Sequence, residues 1–393
     1  MTYIRKRSTG YLVCWREYPG APEKSKAFPK GQKAAADRFR ADLEHRLFSG
    51  TYVEPQAGQI TVAAYAEEWV GRRHWRPSNV ERVERELRLH ILPALGARPL
   101  SGLRRAHIEG WAAGLGLAPA TVHTMHATLS SLLEAAVEDG RIFRNPAAGA
   151  RLPKVEVVPL VPLTAEEVRA LAAGITERLR AALLLAAGTG LRQGELFGLT
   201  VDRVDFMRRE LRVDRQLWSP KTGPSVFAPP KSKNSYRSVA LSPLVVDALA
   251  AHLAAFGPGQ HGVLFHRDGG EPYGRVHGGN AIRGARGRAA DILEKAARQG
   301  LRSKPPAEVE LAVAAAREPV AGTTWHDLRH HHASVLLSAG LSPALVAERL
   351  GHDIQTLLRT YAHVIRQDED RVRAVVDEAL GGTAADWLRT QAV

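Results

Sequence analysis

Residues 323–363 read TTWHDLRHHHASVLLSAGLSPALVAERLGHDIQTLLRTYAH, and the reading of the whole chain turns on this stretch. His326 and Arg329 lie three apart, so on a helix they share a face. The planar fork of Arg donates two parallel hydrogen bonds and suits a phosphate. A His beside it can move protons near neutral pH. Tyr361 supplies a phenol that can become a covalent nucleophile. Taken singly, each has an ordinary reading: a solvated helix face for His-x-x-Arg, packing for the tyrosine. The ordered set is far more specific: His-x-x-Arg, then Leu-Gly-His at 350–352, then Tyr nine residues later.

An upstream stretch completes the set. Residues 181–202 read AALLLAAGTGLRQGELFGLTVD. An apolar helix is expected to end at Gly188-Thr-Gly190, where the glycines allow a tight turn. A second helix is expected to begin near Arg192, with that residue in its first turn, where free N–H groups favour anions. Glu195, three residues on, is placed to orient the guanidinium.

TGLRQGEL, HDLRHHHAS and LGHDIQTLLRTY, in this order, resemble the motifs of the tyrosine recombinase (phage integrase) family. The resemblance covers roughly residues 60–375. One departure is His331, where the family's pattern has Thr; the family assigns no catalysis to that position.

The chain has 393 residues, room for two or three domains, and a net charge of +13, which suggests a polyanionic partner. No apolar run is long enough for a membrane span. The N-terminus MTYIRKRSTGYLVCW is basic but lacks the apolar core of a signal peptide. Cys14 is the only cysteine, which rules out an internal disulfide and a Cys-based zinc site. The sequence has no P-loop and no metal-ligand cluster. A cytoplasmic, nucleoid-associated bacterial protein fits.

Residues 1–50 read as two or three short strands followed by the helix QKAAADRFRADLEHRLFSG, with Arg5, Lys6 and Arg7 among their basic residues. Residues 51–59 read as a linker. Residues 60–150 read as helices, with Pro93, Gly96 and Pro99 breaking the second; Arg72, Arg73, Arg76, Arg104 and Arg105 lie near helix ends, where they can meet phosphates. His123 and His126 share a face without a third metal ligand. Residues 141–162 hold four prolines and read as a hinge; Thr164-Ala-Glu-Glu167 is a capping box that opens the next domain. The alternation in RVDFMRRELRVDRQLW and SVFAPPKSKNSYRSVALS predicts strands, with KSKNS as a hairpin turn carrying lysine at its tip. Residues 301–321 have no evident role, and TAADWLRTQAV after Gly381-Gly382 can form a short amphipathic helix.

The resemblance turns these readings into expectations. The fold is multidomain and mainly α with small β-sheets: an arm-DNA-binding-like sheet-plus-helix module at 1–55, a helical core-binding (SAM-like) bundle at 60–150, an α+β catalytic domain at 160–380, and a tail at 381–393 that docks on a neighbouring protomer or packs in cis. Tyr361 attacks phosphorus and holds a DNA 3′-phosphate. Arg192 and Arg329 grip the non-bridging oxygens, His326 assists proton transfer, and His352 hydrogen-bonds the phosphate. PPKSKNSYRSVAL matches the family's Pro-Lys-Thr-type strand, pointing to Lys231 as the acid for the 5′-oxygen, with Lys233 as the alternative. No metal, nucleotide or other cofactor is implied. The implied partners are double-stranded attachment-site DNA, three more copies in a homotetramer, an excisionase or directionality factor, and a host DNA-bending protein. The competing reading is a DNA-binding regulator or inactive relative; a complete Arg, Lys, His, Arg, His, Tyr set argues against it.

Overall fold

The computed structural model describes residues 2–50, 52–54, 56–156, 160–230, 232–302, 304–365 and 369–381. The chain is mainly helical with small antiparallel sheets, as expected, and divides into two compact units, residues 1–157 and 158–393. The division falls within the proline-rich residues 141–162. Among the described residues no helix is long and apolar enough to cross a membrane.

The first unit opens with a three-stranded antiparallel sheet, Thr2–Arg7, Gly10–Trp15 and Lys24–Pro29, paired in chain order. The helix Lys33–Phe48 lies on it and closes a small core of Val13, Trp15, Ala36 and Leu43. A sheet this short buries little, and the surrounding aromatics extend its core: Trp15 meets Phe39 edge-on and donates to Tyr52 Oη at 3.1 Å.

A separate core, around Tyr65, Trp69, Ile91, Ile108 and Leu132, belongs to the helices Val62–Gly71, Pro77–Glu86, Leu92–Leu95, Arg105–Gly114 and Pro119–Glu138. Pro77 and Pro119 occupy first-turn positions, where a missing N–H costs nothing. Pro93 does not break the second helix, contrary to expectation. The ladder widens to a π segment over Leu87–Ile91, and the chain then continues helically through Leu92–Leu95. The widened turn accommodates a residue that cannot donate to the usual carbonyl. The stretch read as a linker holds a short 3-10 turn, Ala57–Gln59, with Gly58 buried.

The second unit begins with the helix Ala165–Gly174, whose Thr164–Glu167 capping box is present in both directions. Its core gathers Leu171, Leu183, Leu196, Phe197, Val239, Leu249, Phe265, Ala289 and Trp325. One antiparallel sheet orders Val204–Asp205, Glu210–Val213 and Arg237–Ala240. A separate hairpin pairs Gln216–Trp218 with Val226–Ala228. KSKNS is therefore no hairpin tip. The strands on either side of it belong to different sheets, and Lys233–Ser235 is a 3-10 turn joining them. Alternation reports which side chains face a core but not which strand is the partner. Residues 301–321, unassigned in the sequence, supply the helix Pro306–Ala321, which packs on the long helix Arg275–Gly300.

Candidate active site

The helix Glu177–Thr189 ends at Gly190, which takes the left-handed conformation with φ 66°. A side chain there would be strained and would press on Leu350 and His332. This turn does two things. It aims the Gly190 carbonyl at Arg329, whose Nη1 donates to it at 2.6 Å. It also makes Arg192 the N-cap of the short helix Gln193–Phe197, just ahead of the first turn rather than within it.

Glu195, nearly fully buried, holds the Arg192 guanidinium: Arg192 Nη1 donates to its Oε1 at 2.8 Å. Arg237, which the sequence did not single out, donates from Nη2 to the other oxygen at 2.8 Å. Burial by itself would raise the Glu195 pKa, but the hydrogen bond and charge of Arg237, joined by Arg192, hold it below the usual carboxylate range. One carboxylate thus serves two guanidiniums. Arg237 is fixed in turn by donating to Arg349 O at 2.8 Å and Ser235 O at 2.9 Å.

The helix Trp325–Ser338 carries His326, Arg329 and the three following histidines. Thr324 and Asp327 form its capping box. Trp325 anchors it, buried with Nε1 donating to Gly278 O at 2.8 Å and its ring edge-on to Phe197. Arg329 is fully buried and donates from Nη2 to Leu350 O at 2.7 Å. Burial and then the Arg192 charge pull its pKa down to about 9, which leaves it protonated at neutral pH. His331 bonds the Leu163 carbonyl; His332 bonds the Ala187 carbonyl and accepts from Arg349.

Tyr361, on the helix Ile354–Ile365, is fully buried among Ala333, Leu337, Val346, Leu350 and Leu357. Burial pushes its pKa up to about 12, although Arg329 opposes the rise. Its Oη lies 2.6 Å from His330 Nδ1. His326 stands edge-on to His330 with ring centroids 4.6 Å apart. His352 follows the left-handed Gly351 at the end of the helix Pro343–Leu350. Burial, then Arg329 and Arg192, lower the His352 pKa to about 3. His326 is lowered for the same first two reasons, burial and Arg329.

Arg192, His326, Arg329, His352 and Tyr361 therefore come together from separated parts of the sequence. Two of their polar atoms, Arg329 Nε and His352 Nδ1, are buried and have no hydrogen-bond partner among the described residues. Lys231 lies outside the described residues. Lys233 is exposed on its turn, and Ser235 of that turn accepts from Arg192 Nη1 at 3.3 Å. His330 and Arg237 were missed. The spacing of four between His326 and His330 was the available signal for the first.

Of the residues expected to contact DNA, Lys233 lies in the second unit and the others in the first. Arg5, Lys6 and Arg7 are exposed on the first strand. Arg72 is paired with Asp139 at 2.6 Å, and Arg73 lies over the rings of Trp69 and Trp75. Arg76 is the N-cap of the helix Pro77–Glu86. His123 and His126 bond the Pro153 and Ala147 carbonyls.

A fold of this kind, with two arginines, a histidine cluster and a buried phenol brought together, defines a class, and comparison with known proteins identifies it. Residues 162–368 match the model of the phage integrase family. That is more than half of the chain, and the chain belongs to this family, the tyrosine recombinases. It is 27% identical over 292 residues to the tyrosine recombinase XerC-like protein of Caldanaerobacter subterraneus subsp. tengcongensis, covering 67% of each chain. The Tn1549 transposon integrase in complex with transposon right end DNA shares the fold with a TM-score of 0.66 at 22% identity, covering 82% of this chain and 100% of that one. A lambda integrase tetramer bound to a Holliday junction aligns with a TM-score of 0.50 at 19% identity, covering 89% of this chain and 95% of that one.

Proposed function

We propose that this chain is a site-specific DNA recombinase of the integrase type, which cuts and rejoins DNA through a covalent 3′-phosphotyrosine. The observation that carries this reading is the pair of buried atoms Arg329 Nε and His352 Nδ1, without a partner among the described residues, on side chains that feel the Arg192 charge. Buried polar atoms normally have partners, and a scissile phosphate would supply the missing acceptor. Arg192 and Arg329 then stabilise charge that grows on the phosphorane oxygens. Tyr361 Oη attacks phosphorus and Lys231 protonates the departing 5′-oxygen. His326 assists proton transfer and His352 bonds the phosphate. The phosphotyrosine stores the energy of the cut bond, so rejoining needs no ATP. The two guanidiniums supply the positive charge that a divalent metal would otherwise bring.

Tyr361 is fully buried, so the side chains that cover it have to open for its oxygen to meet phosphorus. Domain roles follow the same reading. Residues 1–55 bind a separate arm site, 60–150 clamp the crossover duplex, and 160–380 carry out the chemistry. Four copies act on two duplexes, supported by the lambda integrase tetramer. The segment 381–393, outside the described residues beyond Gly381, docks on the adjacent protomer. The preceding helix Glu369–Leu380 leaves Val372, Val375, Val376 and Leu380 exposed along one side, as a further surface for a neighbouring copy. An excisionase and a host bending protein set the direction of the reaction on a mobile element's attachment sites.

The test is cleavage of a nicked suicide duplex in excess EDTA without ATP. Wild-type protein is expected to trap strand-linked product. Arg192→Ala is expected to lose roughly 100–1,000-fold in cleavage rate while keeping DNA affinity. Abolition by chelator, or equal losses in binding and cleavage, would contradict the reading.

A further inference from the structure

The side chain on the Tyr361 hydroxyl is not one that the motifs mark. His330 Nδ1 lies 2.6 Å from Tyr361 Oη, a short distance for a hydrogen bond between neutral groups. His330 is also held from behind, because the His326 ring stands edge-on to it one helical turn earlier. Burial, then His326, lower the His330 pKa to about 4, and Tyr361 stands at about 12, so both are neutral at pH 7. A neutral imidazole with a bare Nδ1 is an acceptor, and a neutral phenol has one proton to donate. A phosphodiester arriving between Arg192 and Arg329 brings negative charge, which makes the imidazole more basic.

Resting on the reading of Tyr361 as nucleophile, we propose that His330 is a further catalytic residue, which holds the Tyr361 hydroxyl and accepts its proton as the oxygen attacks phosphorus. The Tyr361 O–H bond breaks and the proton passes to Nδ1. The freed electron pair forms the bond from oxygen to phosphorus. The bond from phosphorus to the 5′-oxygen breaks, and that oxygen takes a proton from the acid on its own side, the role proposed for Lys231. In rejoining, the 5′-hydroxyl gives its proton back to that acid, and His330 returns its proton to the phenol oxygen. His326 braces the His330 ring.

The test is single-turnover adduct formation by the full-length chain on a nicked suicide duplex carrying a core site that the wild-type protein cuts. His330→Ala removes the acceptor. His330→Asn places an amide oxygen near the Nδ1 position, where it can accept the hydrogen bond but not a proton. Both are expected to slow adduct formation by about 100-fold or more, as loss of a general base does, with DNA affinity unchanged. A second duplex carries sulfur in place of the bridging 5′-oxygen, a leaving group that needs no proton. Lys231→Ala is expected to recover on it, and neither His330 variant is. A wild-type rate in His330→Asn, or recovery of either His330 variant on the sulfur duplex, would overturn the proposal. An adduct that persists in Tyr361→Phe would instead overturn the nucleophile assignment, so the two failures are distinguishable.

Discussion

Arg192 and Arg329 are tied to neighbouring peptide units: Arg329 Nη2 donates to Leu350 O at 2.7 Å, and Arg192 Nη2 donates to Gly351 O at 2.8 Å. The next residue is His352. The Leu350-Gly351-His352 turn therefore bolts together two guanidiniums that are 137 residues apart in sequence (329 − 192), and it sets their spacing before any DNA arrives. Such preorganisation avoids reordering at the moment of reaction.

Gly351→Ala is expected to damage both fold and activity. Gly351 has φ 63°, and a Cβ there would lie 2.8 Å from Asn234 O. The left-handed conformation alone costs a non-glycine residue about 1–2 kcal/mol. Relieving the contact would push the Lys233–Ser235 turn away from Arg192. Thermal unfolding and suicide-substrate cleavage should both fall, cleavage by more than the stability loss explains. Normal cleavage in a stable variant would show that the turn does not set the arginine spacing.

Arg237→Ala is expected to be costly although Arg237 touches no proposed reacting group. Its side chain and that of Glu195 are 4% and 3% exposed, and their bond is 2.8 Å. Removing one partner of a buried ion pair typically costs about 3–5 kcal/mol. Glu195 keeps Arg192 as a second partner, which favours the lower end. Urea unfolding measures the loss, and adduct formation should slow as Glu195 loosens its hold on Arg192. An unchanged unfolding midpoint would show the pair to be dispensable.

Stability is expected to fall in mild acid. Burial, followed by the charge of Arg349 at His332 and of Arg329 at His352, lowers the pKa of these histidines to about 4 and about 3, and His330 is lowered to about 4. In the unfolded chain each titrates near 6.5. Between about 6.5 and those lowered values the unfolded state binds more protons, so stability is full above the unfolded pKa and is lost as the pH falls. Each group steepens the loss by up to about 1.4 kcal/mol per pH unit. Unfolding midpoints at pH 7.5, 6 and 5 check this, and replacing His332 by Gln should flatten the curve. A midpoint independent of pH across this window would contradict the burial of these rings as neutral groups.

Much of this was legible in the sequence because it is local. The Thr164 capping box, the Gly190 turn and the pairing of Arg192 with Glu195 depend on residues within a few positions of one another. What stayed hidden depends on partners brought in by packing. His330 meets Tyr361 only because the helix Ile354–Ile365 folds back on Trp325–Ser338, and Arg237 meets Glu195 only through the pairing of its strand with Glu210–Val213. Alternation marked both strands near KSKNS correctly but could not assign them to different sheets. Pro93 misled because helix propensity counts the missing donor and not the wider turn that accommodates it.

The central claim is that Tyr361 carries the DNA strand. The most direct measurement is to trap the adduct on a nicked suicide duplex, digest it with protease and nuclease, and map the linked residue by mass spectrometry. The account predicts a 3′-phosphonucleotide on Tyr361 in the wild-type chain, and no adduct in Tyr361→Phe although that variant still binds the duplex. A phosphonucleotide on any other residue, or an adduct that survives in Tyr361→Phe, would contradict it.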